Sequence, residues 1–264
     1  MPLMRGEVRH FLLPIQIGFA YFEPLLARLD ATGVVLACFE LGNEINSPMF
    51  NADFSLPAEV PDQPKEFNLN DLSHDPEAQQ VAKGYLQYLK LLAVIKDVRA
   101  HSTLNHHTPI VSAGLVYNES PESPRNVKLD AVSATATIDF MRANDLDHLV
   151  DAYRVHTYPW TNDPGKPVAV AGRRDRLTKY VLAQCQPGGS TSGKPCWITE
   201  SGIPNHDASC PPREANQIAL LDETRANFRP YVLRRRVLAL FYYAWVDKRG
   251  DPFSIYRCNQ LTET

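Results

Sequence analysis

No stretch of this sequence is apolar for long enough to span a membrane. A membrane-spanning helix needs roughly 20 consecutive, mostly apolar residues, and no run here approaches that length. The amino-terminal residues also lack the features of a signal peptide, because Pro14, Gln16 and Gly18 interrupt the apolar run over residues 11–19. The sequence therefore predicts no membrane contact.

A large excess of charge of one sign is missing as well. The chain has 27 Lys and Arg residues against 30 Asp and Glu residues, which gives a net charge of -3 and a pI near 6.2. The compact basic run at residues 234–236 is typical of the solvated end of a helix. Because proteins that bind nucleic acids carry a basic patch or stripe, nucleic acid is not an expected partner.

Cysteine and histidine spacings of the metal-binding kind are absent. The chain has five cysteines, and none forms a CxxC pair or a zinc-type pattern with histidine, so we expect neither a metal nor another cofactor. Cys38 lies in an apolar run and is typical of a buried thiol. The other four cysteines form two disulfides if the protein matures in an oxidising compartment, which would make it secreted or periplasmic. Otherwise they are four separate thiols of a cytosolic protein.

Short apolar runs alternate with amphipathic helices along the chain. This alternation predicts an α/β fold whose strands pair in parallel through right-handed crossovers. A composition of 44% hydrophobic and 22% charged residues suits one globular domain, and the sequence shows no internal repeat or interdomain linker. The predicted strands cover residues 34–41, 109–115, 152–157, 196–199 and 237–245.

Helix signals lie between these strands. The clearest is Asp75, which we expect to cap a helix beginning at Pro76. Its apolar face repeats at steps of three and four residues, namely Val81, Tyr85, Tyr88, Leu92 and Ile95. Further helices are predicted over residues 134–144, with a turn near 147–150, over residues 175–184, and from Pro212 onward. The long polar loop over residues 46–73 is typical of a lid or cleft wall.

Two predicted strands are followed closely by a glutamate. Glu44 follows Leu41-Gly42-Asn43, and Glu200 follows Trp197-Ile198-Thr199. Glycoside hydrolysis needs two carboxyl groups across the scissile bond, and a separation of about 5–5.5 Å favours retention through a covalent sugar–enzyme intermediate. One such glutamate alone is more often a surface residue or an ion-pair partner, but two on alternating strands favour a glycosidase. Glu40, deeper in its strand, is expected to be a buried hydrogen-bond partner.

Four motifs at strand ends resemble clan A glycoside hydrolases, in the neighbourhood of families 5 and 39. They match the ends of strands four, six, seven and eight of that clan, and they are Gly42-Asn43-Glu44, His156-Thr157-Tyr158, Trp197-Ile198-Thr199-Glu200-Ser201-Gly202 and Phe241-Tyr242-Tyr243-Ala244-Trp245. The resemblance implies a (β/α)8 TIM barrel that forms a single catalytic domain over residues 1–264. It also implies a retaining β-glycosidase whose substrate is an oligosaccharide or polysaccharide.

The resemblance assigns the catalytic chemistry to Glu44 and Glu200, and a substrate-binding role to Asn43. Glu44 would be the general acid that protonates the leaving oxygen and then the base that activates water. Glu200 would be the nucleophile. Asn43 would hydrogen-bond the sugar hydroxyl beside the anomeric carbon.

Substrate-binding roles fall on three aromatic residues. Tyr158 would donate a hydrogen bond to Glu200, and His156 would line the same subsite, unless it is a structural histidine. Trp245 would be the platform under the sugar ring, since an indole face suits the apolar face of a pyranose; the alternative is a core residue. In the loop at 46–73, Phe50 and Phe54 are candidate subsite walls.

Strands one and two of the barrel have no counterpart in the sequence. Residues 8–17 and 21–29 can supply strand three and its helix, but only 33 residues precede Val34, and one strand–helix unit takes roughly 30. No arginine matches the strand-two arginine that hydrogen-bonds the nucleophile in the clan. We therefore expect a barrel that is incomplete at its amino-terminal end, with strands 3 or 4 to 8 present. A truncated reading frame, a rearranged sheet or a homo-oligomer that shares strands would account for it.

The barrel order also suggests how the cysteines pair. Cys210 and Cys258 would follow strands seven and eight at the same end of the barrel, and Cys185 and Cys196 would flank the turn into strand seven. The incomplete barrel leaves a second function open, a non-catalytic carbohydrate-binding remnant. An α/β hydrolase with a serine nucleophile is a third, disfavoured function, because the GSTSG run at 189–193 does not follow a strand as a Gly-x-Ser-x-Gly elbow does.

Overall fold

The structure is a computed structural model that describes residues 15–54, 67, 69, 72, 74–116, 132–158, 177–207, 209–210, 212–245, 252–258 and 260–261. The chain divides into two compact units, residues 1–154 and 155–264. The division falls between two consecutive residues of one strand rather than in a loop. The single catalytic domain therefore stays a prediction.

The first unit contains a parallel pair of short strands among helices. Strand β1 pairs with β2, with Phe39 opposite Ile110 and Glu40 opposite Val111, and Val111 also forms a parallel bridge with Ala152. The elements of this unit are α1 (Ile15–Ala31), β1 (Phe39–Glu40), α2 (Pro76–Ala100), β2 (Ile110–Val111), α3 (Ala134–Arg142), α4 (Leu146–Leu149) and the start of β3 (Tyr153–Thr157).

Helix α2 forms as the sequence predicts. The Asp75 carboxylate accepts hydrogen bonds from the backbone N–H groups of Glu77 and Ala78, at 3.0 and 3.1 Å, and Pro76 is the first helical residue. These bonds satisfy donors that the first turn of a helix leaves open. All five residues of the predicted apolar face are buried. The prediction for this helix is confirmed.

The amino-terminal strand predicted over residues 8–17 is wrong where the structure describes it. Residues 15–17 belong to α1, and residues 8–14 lie outside the described part of the chain. Helix α1 packs against α2 at Gly18, where an added Cβ would lie 3.2 Å from Leu91 and 3.3 Å from Val94. This close helix–helix contact explains why the segment is helical rather than extended.

The strand predicted over residues 34–41 is confirmed only at its end. The side chain of Asn105 bonds to the backbone ahead of β1: its Oδ1 accepts from Leu36 N at 2.8 Å, and its Nδ2 donates to Val34 O at 3.0 Å. A side chain therefore satisfies the backbone groups that a neighbouring strand would otherwise pair. A run of apolar residues bounded by glycines does not show that the distant side chain of Asn105 takes the place of a neighbouring strand.

The second unit is built on a three-stranded sheet in the order β3-β4-β5, with β4 and β5 parallel. β5 is the edge strand of this sheet among the described residues, and its Leu238, Leu240 and Phe241 are exposed. The elements that follow β3 are a π-helical turn (Leu177–Val181), α5 (Leu182–Gln184), β4 (Cys196–Ser201), α6 (Ala215–Leu233), β5 (Val237–Tyr242), β6 (Tyr256–Arg257) and β7 (Gln260–Leu261).

Two helix predictions in this unit need correction. The helix predicted over residues 175–184 is a π-helical turn followed by a single short α-helical turn, with residues 175 and 176 outside the described part. The helix predicted from Pro212 begins at Ala215 instead. Pro212 is buried ahead of the helix, and Glu214 is the N-cap residue.

Both suggested disulfides are present. Cys185 is bonded to Cys196, and Cys210 to Cys258, while Cys38 is free and half-buried. The alternative of four separate thiols is therefore wrong in the structure. No helix in the described part of the chain combines the length and apolar character needed to cross a membrane.

Candidate functional site

Glu44 lies in a tight turn directly after β1. Gly42 has φ +81° and Glu44 has φ +48°. Both fall in the left-handed region, which glycine adopts freely but which costs a residue with a Cβ about 1 kcal/mol or more. Such conformations persist where the surroundings enforce them, and they concentrate at functional sites. Glu44 is half-buried, and Asn43 beside it is exposed.

Two side chains hold the backbone that leads into this turn. Tyr88 of α2 donates from its hydroxyl to Leu41 O at 3.2 Å, and its oxygen accepts from Ala113 N at 2.5 Å. Burial raises the pKa of Tyr88 well above its ordinary value, so the hydroxyl stays protonated and able to donate. Arg154 of β3 donates to Gly42 O at 3.1 Å. Two consecutive carbonyls ahead of Glu44 are therefore fixed.

Glu40 is the ion-pair partner of Arg154. Its Oε1 lies 2.6 Å from Arg154 Nη1, and the two side chains are 32% and 8% exposed respectively. The expectation of a hydrogen-bond partner is confirmed. The expectation that Glu40 is buried is wrong, because its side chain reaches solvent beyond the strand.

The backbone that follows Glu44 is held as well. Asn46 is fully buried; its Nδ2 donates to the carbonyls of Val116 and Val132, both at 3.0 Å, and its Oδ1 accepts from Val116 N at 2.9 Å. Asn51 donates to Ile45 O at 2.8 Å. The Glu44 turn is thus fixed on both sides by buried polar groups, which is the support that a strained turn requires.

Phe54, predicted as a subsite wall, belongs to the core. Its side chain is buried and packs against Phe67, with ring centroids 5.7 Å apart. A side chain enclosed in this way does not reach a substrate, so that prediction is wrong. Phe50 is half-buried and stays a candidate.

Glu200 is the penultimate residue of β4, and two side chains contact its carboxylate. The Tyr158 hydroxyl donates to Oε1, and His156 Nδ1 lies 3.2 Å from Oε2. An ionised carboxylate only accepts hydrogen bonds, so the proton of this contact belongs on His156 Nδ1. Each carboxylate oxygen thus has its own donor, and the side chain remains 24% exposed. The predicted hydrogen bond from Tyr158 is present.

An aromatic cluster backs Tyr158. Its ring lies 6.4 Å from that of Tyr243 and 5.3 Å from that of Phe253, both in edge-to-face geometry. Gly202 lies against the same cluster: an added Cβ there would be 2.5 Å from Tyr243 O, 2.7 Å from Phe253 Cδ1 and 3.3 Å from Tyr158 Cε1. The packing between Gly202 and the ring of Tyr158 therefore leaves no room for an added methyl group.

A buried polar network fixes the loop after Gly202. Gln217 of α6 donates from Nε2 to Ile203 O at 2.8 Å and to the Tyr242 hydroxyl at 3.1 Å. The Tyr242 hydroxyl in turn donates to Ile203 O at 3.1 Å. Asn205 Nδ2 lies 3.3 Å from Gln217 Oε1. The carboxyl end of β4 is thereby attached to both α6 and β5.

Trp245 follows β5 and is 62% exposed. The alternative that it is a core residue is therefore wrong, and a platform role requires this kind of exposure. Trp197 is half-buried and stacks on Phe241, with centroids 6.1 Å apart and an angle of 26° between the rings.

The structure thus brings His156, Tyr158 and Glu200 together, as the sequence predicts. The pairing of Glu200 with Glu44 and the roles of Asn43 and Trp245 stay predictions. The sequence reasoning missed Arg154 and Phe253. An arginine inside a fully buried strand was an available signal for the first, but Phe253 lies in a segment without any strand or helix pattern.

Comparison with known proteins identifies a class of fold. No protein-family model matches the sequence, and no curated protein matches it. The chain is similar in fold to a fungal β-1,4-galactanase, with a TM-score of 0.53 and 15% identity over 94% of this chain and 66% of that one. A β-glucuronidase of Faecalibacterium prausnitzii aligns with a TM-score of 0.48 and 13% identity, over 94% of this chain and 33% of that one.

These identities establish similarity of fold alone. The resemblance to clan A glycoside hydrolases is confirmed at that level. The chain has an α/β fold with parallel sheets, similar to part of a TIM-barrel glycoside hydrolase. It spans just under two thirds of the galactanase chain and one third of the glucuronidase chain.

Proposed function

We propose that this chain carries the catalytic site of a retaining β-glycosidase, with Glu200 as nucleophile and Glu44 as acid/base. The observation that carries the proposal is the carboxylate of Glu200, which lies at the carboxyl end of a parallel strand and receives one donor on each oxygen. In α/β barrels, catalytic residues occupy this end of the strands. The fold shared with a β-1,4-galactanase agrees with this function.

In the first chemical step, Glu200 attacks the anomeric carbon while the bond to the leaving oxygen breaks. The donors Tyr158 and His156 orient the carboxylate and stabilise its charge before attack. Glu44 gives its proton to the leaving oxygen, so the aglycone departs as a neutral alcohol. The product is a glycosyl ester of Glu200 with inverted anomeric configuration.

In the second step, Glu44, now ionised, takes a proton from water as that water attacks the anomeric carbon. The ester bond to Glu200 breaks, the second inversion restores the β configuration, and both glutamates return to their starting states. Asn43 would hydrogen-bond the hydroxyl next to the anomeric carbon. Trp245 would support the apolar face of the ring. This chemistry requires the two carboxyl groups to be about 5–5.5 Å apart.

The substrate class in this proposal is a β-linked oligosaccharide or polysaccharide, and the location is an oxidising compartment. The two disulfides support a secreted or periplasmic protein, because such bonds persist in oxidising surroundings. A (β/α)8-type barrel that is incomplete at its amino-terminal end, with strands 3 or 4 to 8 present, is part of the same proposal. The exposed apolar side chains on edge strand β5 support further strands packing there, with a second copy of the chain as one source, and sedimentation velocity would measure that oligomeric state.

Covalent trapping tests the nucleophile. The protein is incubated with 2,4-dinitrophenyl 2-deoxy-2-fluoro-β-glycosides of glucose, galactose and xylose, and its intact mass is measured. We expect one fluoroglycosyl group per chain, located on Glu200 by peptide mapping, and no label on Glu200→Gln. Saccharide binding without an adduct would instead support the carbohydrate-binding remnant, and an adduct on another residue would contradict the assignment.

Tyr158→Phe tests the surroundings of Glu200. The change removes the hydroxyl that donates to Oε1 but keeps the ring that packs against Phe253. Because a hydrogen bond to a charged group contributes roughly 1.5–3 kcal/mol, we expect labelling to slow by about tenfold to a hundredfold. The thermal midpoint should change little. An unchanged labelling rate would show that Tyr158 does not support the nucleophile.

A further inference from the structure

We infer that Arg154 is a positioning residue for the general acid: it fixes the turn that carries Asn43 and Glu44 and so sets the direction in which Glu44 delivers its proton. This inference rests on the function proposed above. Arg154 lies outside the motifs that resemble the glycosidases.

The guanidinium of Arg154 joins two points on the path to Glu44. Nη1 donates to Gly42 O at 3.1 Å and lies 2.6 Å from Glu40 Oε1. The Nη1 group of a guanidinium carries two protons, so it can donate to both acceptors at once. The side chain is 8% exposed, and the backbone N–H of Arg154 donates to Ser112 Oγ at 3.0 Å. Both ends of this residue are therefore fixed.

The acceptor carbonyl determines the plane of the next peptide. Gly42 O and Asn43 N belong to one rigid peptide unit, so a bond that holds this oxygen also holds the start of Asn43. Two residues later the backbone is in the left-handed region at Glu44, which a glutamate leaves readily when it is not restrained. Gly42 at φ +81° supplies no side chain that could restrain the turn itself. The restraint on this peptide comes from Arg154.

The charges around the guanidinium fit this role. A buried cation is costly unless it is paired, and Glu40 supplies the partner while keeping a third of its own side chain in solvent. The preceding carbonyl, Leu41 O, is held by the uncharged hydroxyl of Tyr88. The arginine is therefore held by a carboxylate that takes no part in the proposed chemistry, while the same Nη1 donates to the turn at Gly42 O.

Arg99 provides a matched control in the same unit. It also binds one carbonyl and one carboxylate with Nη1, Thr108 O at 2.9 Å and Asp151 Oδ2 at 3.0 Å, and its side chain is 15% exposed. Its acceptors lie before β2 and β3, at the amino ends of the strands. Arg99→Met and Arg154→Met therefore remove similar bonds, but only the second touches the Glu44 turn.

Leaving-group dependence separates positioning of the acid from general loss of structure. A 2,4-dinitrophenolate departs without a proton, whereas an alkyl or sugar aglycone needs one. Turnover of 2,4-dinitrophenyl and of methyl β-glycosides is measured for wild type, Arg154→Met, Arg154→Ala and Arg99→Met, with the sugar chosen by wild-type turnover. We expect Arg154→Met to lower kcat/KM for the methyl glycoside by roughly a hundredfold, as a misplaced catalytic group does, and that for the dinitrophenyl glycoside less than about fivefold.

The remaining variants separate a positioning role of Arg154 from a general loss of structure. Arg99→Met should leave the ratio of the two rates at the wild-type value whatever its effect on the thermal midpoint, and guanidinium ion added to Arg154→Ala should restore part of the methyl glycoside activity. Equal losses on both substrates in Arg154→Met would overturn the positioning role while leaving the proposed glycosidase intact. Absence of wild-type turnover together with absence of a covalent adduct would overturn the glycosidase, and this inference with it.

Discussion

At the scale of single residues, Gly202 occupies a closely packed space beside Glu200. Gly202 lies two residues beyond the carboxylate and is buried between the Tyr243 backbone and the ring of Phe253. Tyr158, which donates to Glu200, borders the same space. A change at Gly202 therefore acts on the nucleophile through the residue that holds it.

Gly202→Ala should lower both stability and activity. The new Cβ would meet Tyr243 O at 2.5 Å, and this contact is with backbone, so the strand must shift; overpacking of this kind costs about 1–3 kcal/mol. Chemical denaturation gives the free energy of unfolding, and labelling by a 2-fluoroglycoside gives the activity.

Gly188→Ala is the control for this substitution, because nothing lies within 4 Å of a Cβ at that position. It should leave both measurements unchanged. Equal effects of the two alanines would show that the close packing beside Glu200 affects neither the free energy of unfolding nor the activity.

Sequence reasoning located the two glutamates because each follows an apolar run, and the resemblance supplied the hydrogen bond from Tyr158. It could not locate Phe253, which reaches Tyr158 from a segment almost a hundred positions away along the chain. Arg154 was visible only as a charge inside a strand, and its acceptor is a backbone carbonyl that no side-chain pattern marks. Contacts between distant segments and contacts to backbone are therefore the hardest to predict from a sequence.

At the scale of elements, Asp30 connects the end of α1 to the loop that follows α2. Its carboxylate accepts from Ser102 Oγ at 2.7 Å, from Thr103 N at 2.7 Å, from Leu104 N at 3.2 Å and from Asn105 Nδ2 at 3.1 Å. Partial removal from water raises the pKa of Asp30, but these hydrogen bonds outweigh that effect and lower it to about 2.

Asp30→Asn should make the protein less sensitive to acid. A carboxyl group whose pKa falls on folding stabilises the folded state above its unfolded pKa, which is about 3.9. That contribution is lost as the pH falls from about 4 towards the folded pKa of about 2. The variant should be less stable than wild type at pH 6, and the difference between their thermal midpoints should shrink between pH 4 and pH 2.

Asp222→Asn is the comparison for Asp30→Asn. Asp222 pairs with Arg225 at 3.3 Å, and both side chains are exposed; such pairs contribute little. Its thermal midpoint should follow that of wild type at every pH. A difference between wild type and Asp30→Asn that stays constant from pH 6 to pH 2 would contradict the role assigned to the carboxylate.

The elements themselves were predicted with uneven success. Helix α2 carries an N-cap, a proline at its first position and a regular apolar face, and all these local signals agree. β1 is shorter than its apolar run, because Asn105 takes the hydrogen bonds that a strand would have used. The start of α6 was misplaced because Pro212 is compatible both with a first helical turn and with the loop before it.

At the scale of the whole molecule, the disulfides are the most testable feature of the structure. Two bonds leave Cys38 as the free thiol. A thiol assay on denatured, unreduced protein should therefore find one thiol per chain, and five after reduction. Burial raises the pKa of Cys38, so this thiol should react more slowly in the native protein. Five thiols before reduction would contradict both disulfides.

The fold class followed from the order of strands and helices, because alternation constrains topology strongly. Whether the strands close into a barrel did not follow from the sequence, since closure depends on strands that pair across the whole chain rather than on any local pattern. The separation of Glu44 and Glu200 depends on the same long-range geometry. Local signals therefore predicted the chemistry of each strand end better than they predicted the assembly of those ends.

The bond between Cys210 and Cys258 also determines what happens when the chain is cut. α6 and β5 both lie between these two cysteines. A protease that cleaves once in this segment produces two polypeptides that remain covalently tethered, so the nicked protein would migrate as one species until a reductant is added. When the cut falls between Cys210 and Val237, Glu200 and β5 lie on separate polypeptides that only one sulfur–sulfur bond keeps from diffusing apart after unfolding. A preparation that looks intact without reductant can thus be a cleaved one, and refolding it would depend on that tether.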